Sequence, residues 1–193
     1  QYLGIVIGDV AGHGVSSALI MALSAGLFSE IGKRHRSPKK ILEEANTDLI
    51  RYIENSQITH VTAFYGVLNV NTLEFNYCRA GHPHTLLQRH DQDEILELKT
   101  EGSFLGMFED IEFEESRIFL KRGDRLYFYT DGIPEAKGPN GDLFGYDRLK
   151  ESIHKSQNEP IGTVLHQLFD DVDLFTQYQK ATDDRSLVIL ELN

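Results

Sequence analysis

Along the chain the spacing of apolar and polar positions changes period several times, and each change marks an element. The opening run YLGIVIGD is almost continuously apolar and rich in β-branched residues, as expected of a short strand covered on both faces. Val15 to Ile31 is apolar on most sides of a helix, the pattern of a helix sandwiched between layers. A second, amphipathic helix is announced by Ser37 as N-cap and Pro38 at the first helical position. Its apolar stripe is Ile41, Ala45, Leu49 and Ile53. From residue 59 to residue 131 the period becomes strand-like in THVTAFYGVLNV, LEFNYCRA, TLLQRH, EILELKT, FEESRIFL and DRLYFYTD, with NVNT and HDQD as hairpin connections. After FGYDRLKESI comes a further helical region, PIGTVLHQLFDDVDLFTQYQ, and the chain closes on the strand RSLVILEL.

Strands gathered in the middle, with helices before and after them, imply segregated layers. The fold class expected is therefore α/β of the α+β kind, an antiparallel or mixed sheet packed by helices, and not a doubly wound βαβ array. No internal repeat, linker or low-complexity tract interrupts the pattern.

Length and charge narrow the class. A chain of 193 residues, 40% of them hydrophobic, can bury one substantial core, so a single domain over residues 1–193 is expected. The formal net charge is −11, which argues against nucleic acid or an anionic membrane surface as the main partner and in favour of a basic partner or bound cations. Cys78 is the one cysteine, which excludes an internal disulfide and suits a reducing cytoplasm. No run of about 18 uninterrupted apolar residues and no basic leader is present. Because the first residues already read as a core strand, Gln1 is expected to be a fragment boundary that follows the first strand or strands of the domain.

The polar residues at strand ends supply the candidate chemistry. Asp9 ends GIVIGD, Asp131 ends RLYFYTD, and the pair Asp183 and Asp184 precedes RSLVIL. If those ends converge, their carboxylates repel one another unless protons or hard cations intervene, and an oxygen-only donor set favours magnesium or manganese over zinc. An acid before glycine is also an ordinary turn residue. The loop GDVAGHG fits neither nucleotide-loop template. A phosphate loop from Gly8 needs glycine and lysine where His13 and Gly14 stand, and a dinucleotide fingerprint from Gly12 needs glycine where Ser17 stands. What remains is a loop leading into a helix amino terminus whose free N–H groups can face an anion or water, with Gly12 and Gly14 supplying positive φ.

Taken together, GDVAGHGVSSALIMAL, EEANTDLI, VTAFYGVLN, RAGHPHTLL, GSFLGMF, GDRLYFYTDGIPEA, FGYDRL and ATDDRSLVIL closely resemble, in order, the motifs of bacterial metal-dependent serine/threonine phosphatases of the PP2C-like (PPM) type, in the sporulation stage II E and sigma-regulator branch. The resemblance covers nearly the whole chain. It implies a four-layer α-β-β-α sandwich of two antiparallel sheets covered by helices, with two Mn²⁺ or Mg²⁺ ions at one edge. By that resemblance Asp9 bridges both ions, the Val10 carbonyl binds one, and Asp131 and Asp183 bind the other, with Asp184 as the alternative to Asp183. Water activated by the ions attacks phosphorus in line, no phosphoenzyme is needed, and Cys78 is left as a small buried hydrophobe. The implied substrate is a phosphorylated regulatory protein of the anti-anti-sigma-factor kind. An upstream receiver or sensory domain and a homodimer are the other partners that the resemblance allows.

Several positions depart from the family pattern. An acidic GGDxxD-like element one strand before the first motif is absent from these residues. Arg185 stands in DDRS where an apolar residue is usual, and is expected to point to solvent rather than to contact substrate phosphate; His84 replaces a proline. His13 is a candidate for proton transfer to the leaving serine oxygen or for phosphate positioning. His82 is expected to be a buried packing residue that orients its loop, and His82 with His84 is a poor zinc site. The non-enzymatic alternative is a catalytically impaired phosphatase-like module that binds a partner or relays a signal.

Overall fold

The computed structural model describes every residue except Asn55, Asp91 and Asp93. In chain order its elements are β1 (Tyr2–Val10), α1 (Val15–Arg34), α2 (Pro38–Ile53), β2 (Val61–Asn69), β3 (Glu74–Ala80), β4 (Thr85–Gln88), β5 (Ile95–Leu98), β6 (Glu115–Phe119), β7 (Arg125–Tyr129), α3 (Gly145–Lys155), α4 (Ile161–Phe175) and β8 (Leu187–Glu191). Each expected strand and helix is present, and FGYDRLKESI forms α3. The chain divides into two compact units, Gln1–His84 with Lys99–Leu120, and Thr85–Leu98 with Lys121–Asn193.

The first unit carries an antiparallel sheet in the order β1-β2-β3-β6. Alternation along the strands separates two faces. Ala63, Tyr65, Val67, Cys78 and Ala80 join Ile41, Leu42, Ala45 and Leu49 of α2 in one buried cluster. Phe64, Phe75 and Tyr77 stack on the opposite face with ring centroids 5.9–6.5 Å apart. Ser37 caps α2 as expected, accepting from Lys40 N at 3.3 Å. The NVNT connection is a hairpin between β2 and β3, in which the Asn69 side chain accepts from the N–H groups of Asn71 and Thr72. The HDQD connection includes Asp91 and Asp93 and lies outside the described residues.

Two expectations fail here. β1 is not buried on both faces by the described residues, among which Tyr2, Leu3 and Val6 stay 53%, 42% and 42% exposed. Nor is α1 sandwiched. It buries the stripe Ser17, Ile20, Ser24, Phe28 and Ile31 and leaves Val15, Leu19 and Met21 exposed. By length and composition α1 is apolar enough to cross a membrane despite its interrupting serines and glycines. In the fold, Ile20, Phe28 and Ile31 are seated in the core of the first unit.

The second unit carries an antiparallel sheet in the order β5-β4-β7-β8. β7 is a central strand, and Leu126, Tyr127, Phe128 and Tyr129 are all buried. Tyr127 and Tyr129 pack with Leu149 and Ile153 of α3 and Val164, Leu168 and Val172 of α4. The Tyr127 hydroxyl donates to Gln88 Oε1 at 2.8 Å, so its polar end is satisfied inside the core.

Candidate active site

In the first unit Asp9 lies near the end of β1, opposite Thr62 of β2. The ladder continues one step past the strand through Ala11 N to the His60 carbonyl at 3.1 Å, which holds the loop root flat against β2. The Asp9 N–H donates to Thr62 Oγ1 at 3.1 Å, and the same hydroxyl lies 2.9 Å from His82 Nδ1. A hydroxyl has one proton and two lone pairs, so it can serve both neighbours at once. His82 is 1% exposed, and its carbonyl accepts from Arg79 Nη1 at 3.0 Å. The expected packing role of His82 therefore holds, with a definite object: through Thr62 it fixes the backbone of Asp9.

Gly12 and Gly14 do take positive φ, +96° and +87°, a region that costs side-chain-bearing residues dearly and glycine little. They turn the chain from β1 into α1, whose N-cap is Gly14, with no side-chain cap and no acid in the first turn. Its N-cap, a glycine, supplies no side-chain oxygen to the first-turn N–H groups of α1. His13, between the two glycines, is exposed, free to reach an incoming group.

A second clamp holds the GSFLGMF turn. Asn46 of α2, 3% exposed, accepts from Gly106 N at 2.7 Å and donates to the Phe108 carbonyl at 2.9 Å. Leu105 exchanges both backbone hydrogen bonds with Val61, at 2.9 Å each. The asparagine in EEANTDLI is accordingly a turn-former acting from a distance of 60 residues.

In the second unit the ends of β7 and β8 meet. Thr130 N donates to the Ser186 carbonyl at 3.2 Å, its hydroxyl donates to the Asp184 carbonyl at 3.0 Å, and Ser186 N donates to that hydroxyl at 2.9 Å. Beside it the strand ends touch at Gly132, where a Cβ would lie 2.2 Å from the Asp184 carbonyl oxygen. Only glycine lets TDG sit against DDRS this closely. The neighbours of Asp131 on both sides thereby touch the backbone of Asp184. Asp183 Oδ1 accepts from Asp184 N at 2.8 Å, and the Asp131 carbonyl accepts from Glu135 N at 2.8 Å. Asp183 lines a cavity of about 280 Å³ with Gly132, Glu135, Lys137, Thr182 and Arg185.

Arg185 does not point to solvent. Its side chain is 12% exposed, and Nη1 lies 2.9 Å from Asp173 Oδ1 on α4. Burial against α4 and pairing with a carboxylate twelve positions away in sequence draw it inward.

The oxygen-only donors at these strand ends fit a hard divalent cation. Among the described residues no three His, Cys, Asp or Glu side chains are gathered closely enough to hold an ion unaided, so an ion bound here keeps water ligands, as Mg²⁺ commonly does. Asp9, Val10 and His13 belong to the first unit, and Asp131, Asp183 and Asp184 to the second. Cys78 is fully buried, and burial, with Glu115 nearby, pushes its thiol up to about 12. It is protonated at neutral pH and matches the expected inert hydrophobe.

Pattern reading passed over Thr62, Asn46 and Asp124. Asp124 is fully buried in the turn before β7, where its carboxylate accepts from Arg89 at 2.6 Å and from the N–H groups of Lys121 and His90 at 2.8 and 3.2 Å. The GDR turn signal was visible; a charge buried within it was not.

Two antiparallel sheets and four helices in this order define a PP2C-like phosphatase fold. The solved SiaA-PP2C domain of Pseudomonas aeruginosa superposes with a TM-score of 0.85 at 19% identity, over 100% of this chain and 80% of that one. The phosphatase domain and regulatory-domain fragment of SpoIIE from Bacillus subtilis gives 0.82 at 17%, over 99% and 55%. The family model for stage II sporulation protein E (SpoIIE) matches residues 1–193, and the chain belongs to that family. Among curated proteins it is similar to the phosphoserine phosphatases RsbP and RsbU of Bacillus subtilis. It is 29% identical to RsbP over 98% of this chain and 45% of that protein, and 24% identical to RsbU over 98% and 56%. The chain thus spans about half the length of these relatives.

Proposed function

We propose that the chain is a divalent-metal-dependent phosphatase that removes phosphate from serine or threonine of a regulatory protein of the anti-anti-sigma-factor kind. The observation that supports this reading is the β7/β8 junction: in a chain of the SpoIIE family, Gly132 and Thr130, on either side of Asp131, both lie against the Asp184 carbonyl. When bound, Mn²⁺ or Mg²⁺ supplies water that deprotonates near neutral pH and offsets charge on the phosphoryl oxygens.

The protein's own groups do the rest. In the first unit the Asp9 carboxylate and the Val10 carbonyl, and in the second unit the carboxylates of Asp131 and Asp183 (or Asp184), are the groups that would hold the ions. Thr62 and His82 keep the Asp9 backbone in place. His13, exposed on its glycine-flanked loop, delivers a proton to the departing serine oxygen. Cys78 takes no part, since its thiol is buried and protonated.

The second reading, a phosphatase-like module without turnover, draws on the absence of any three-ligand cluster among the described residues. Phosphate release from a phosphoserine peptide, followed with Mn²⁺ and with EDTA, separates the two. Metal-dependent turnover that also exceeds turnover of a nucleotide supports a protein phosphatase. Saturable Mn²⁺ or peptide binding without phosphate release establishes the non-catalytic module. Parallel Asp183→Asn and Asp184→Asn variants identify the ligand, which is the position whose loss weakens Mn²⁺ binding more.

A further inference from the structure

We propose that Arg185, with Lys137 beside it, forms a recognition subsite for an acidic side chain that flanks the phosphorylated residue of the substrate. The inference rests on the phosphatase reading and specifies which phosphoproteins that site prefers.

Arg185 and Lys137 are the two cations lining the cavity beside Asp183, in a protein of net charge −11. Arg185 is mostly buried and held at one end, with Nη1 on Asp173 Oδ1 at 2.9 Å. Asp173 is itself 43% exposed, so the pair is not a sealed core contact. Among the described residues the remaining Nε and Nη2 donors of Arg185 hydrogen-bond to no protein group. A guanidinium fixed at one edge, with a second edge facing a cavity, is pre-organised for a planar carboxylate and loses little entropy on binding one.

The unused donors of Arg185 and the neighbouring Lys137 favour an acidic side chain as the occupant. The lining carries Arg185 and Lys137 against Glu135 and Asp183. Were Asp183 engaged by a divalent cation, Lys137 and the free edge of Arg185 would face Glu135 within the lining, with Asp173 holding the other edge of the guanidinium. Arg185 and Asp183 line the same cavity, so a side chain bound by Arg185 belongs to a residue close to the phosphoserine. The phosphoryl group itself would be taken up by the cations that Asp183 would help hold, which leaves Arg185 for a neighbouring side chain.

The test compares two phosphoserine peptides that differ only in Glu or Gln at the positions one and two residues from the phosphoserine. We measure kcat/KM for each with wild type, Arg185→Ala, Arg185→Lys and Arg185→Glu in Mn²⁺. Wild type is expected to prefer the Glu peptide by about tenfold, Arg185→Ala to bring the ratio near one, and Arg185→Lys to fall between. Arg185→Glu is expected to favour a third peptide carrying Lys at those positions. Because the ratio is taken within each variant, a general loss of folding or metal affinity cancels. No preference in wild type overturns the proposal, as does an equal loss on both peptides in Arg185→Ala, which would mean a phosphoryl contact or a purely structural arginine. If wild type releases phosphate from neither peptide, the phosphatase reading fails. Fluorescence anisotropy of labelled, unphosphorylated Glu and Gln peptides in Mg²⁺ then tests the subsite by itself. Tighter binding of the Glu peptide, lost in Arg185→Glu, supports it, and equal binding overturns it.

Discussion

Replacing Gly132 by alanine tests the junction that the site depends on. The added Cβ would lie 2.2 Å from the Asp184 carbonyl oxygen and 3.0 Å from its carbon. Gly132 has no positive φ, so alanine suits the backbone and the penalty is the contact alone. A carbonyl cannot swing aside like a side-chain tip, so the two strand ends must part by about 1 Å to restore ordinary contact distances. That separation strains the three Thr130 hydrogen bonds to Asp184 and Ser186, at 2.9–3.2 Å, each worth about 1 kcal/mol net. Overpacking of this kind costs about 1–3 kcal/mol, and we expect a loss of about 2–3 kcal/mol by urea denaturation, roughly 4–12 °C in Tm for a chain of this size. Activity should fall further than stability accounts for, by about 100-fold, since a misplacement near 1 Å of reacting groups has that effect. Gly26→Ala in α1 is the control, because nothing lies within 4 Å of its Cβ and it should stabilise by up to about 1 kcal/mol. If Gly132→Ala unfolds and turns over like wild type, the junction does not position the site.

Three further outcomes are expected. Thr62→Val removes the hydroxyl shared by Asp9 N and His82 Nδ1. It should destabilise by about 1–3 kcal/mol and raise the Mn²⁺ concentration for half-maximal activity by about tenfold, whereas Thr62→Ser should retain most of both. Asp124→Ala strips a fully buried carboxylate from Arg89 and should cost about 3–5 kcal/mol by urea denaturation. Cys78 has its thiol raised to about 12 by burial, so at pH 8 the folded protein holds it protonated. Iodoacetamide should label it slowly in the native state and fast in urea, with phosphatase activity surviving the native treatment.

The strands were legible because most of them alternate or are buried in full, and the helix starting at Ser37 because cap, proline and stripe agreed. Asp131 and Asp183 were legible as acids at strand ends, since the β7 to β8 pairing brings those ends together. Less legible was anything settled by a partner far along the chain. Arg185 reads as a surface residue until Asp173 on α4 is placed beside it. Asn46 reads as a helix-surface amide until Gly106 and Phe108 arrive to bond it. Thr62 reads as one more β-branched strand residue, although its hydroxyl is what joins Asp9 to His82. β1 misled for a different reason, because an apolar run reports what a strand can bury and not how much of it the described residues cover.

The central claim is that carboxylates at the strand ends hold the cations used to hydrolyse a phosphoserine. Its most direct test is the Mn²⁺ dependence of phosphate release from a phosphoserine peptide by wild type and by Asp131→Asn. The account predicts saturable, EDTA-sensitive release by wild type. In the variant, maximal rate should fall at least 100-fold, or the Mn²⁺ requirement should rise by at least about tenfold, as expected when a ligand's charge is lost. Coincident Mn²⁺ curves of equal height for the two proteins would contradict it.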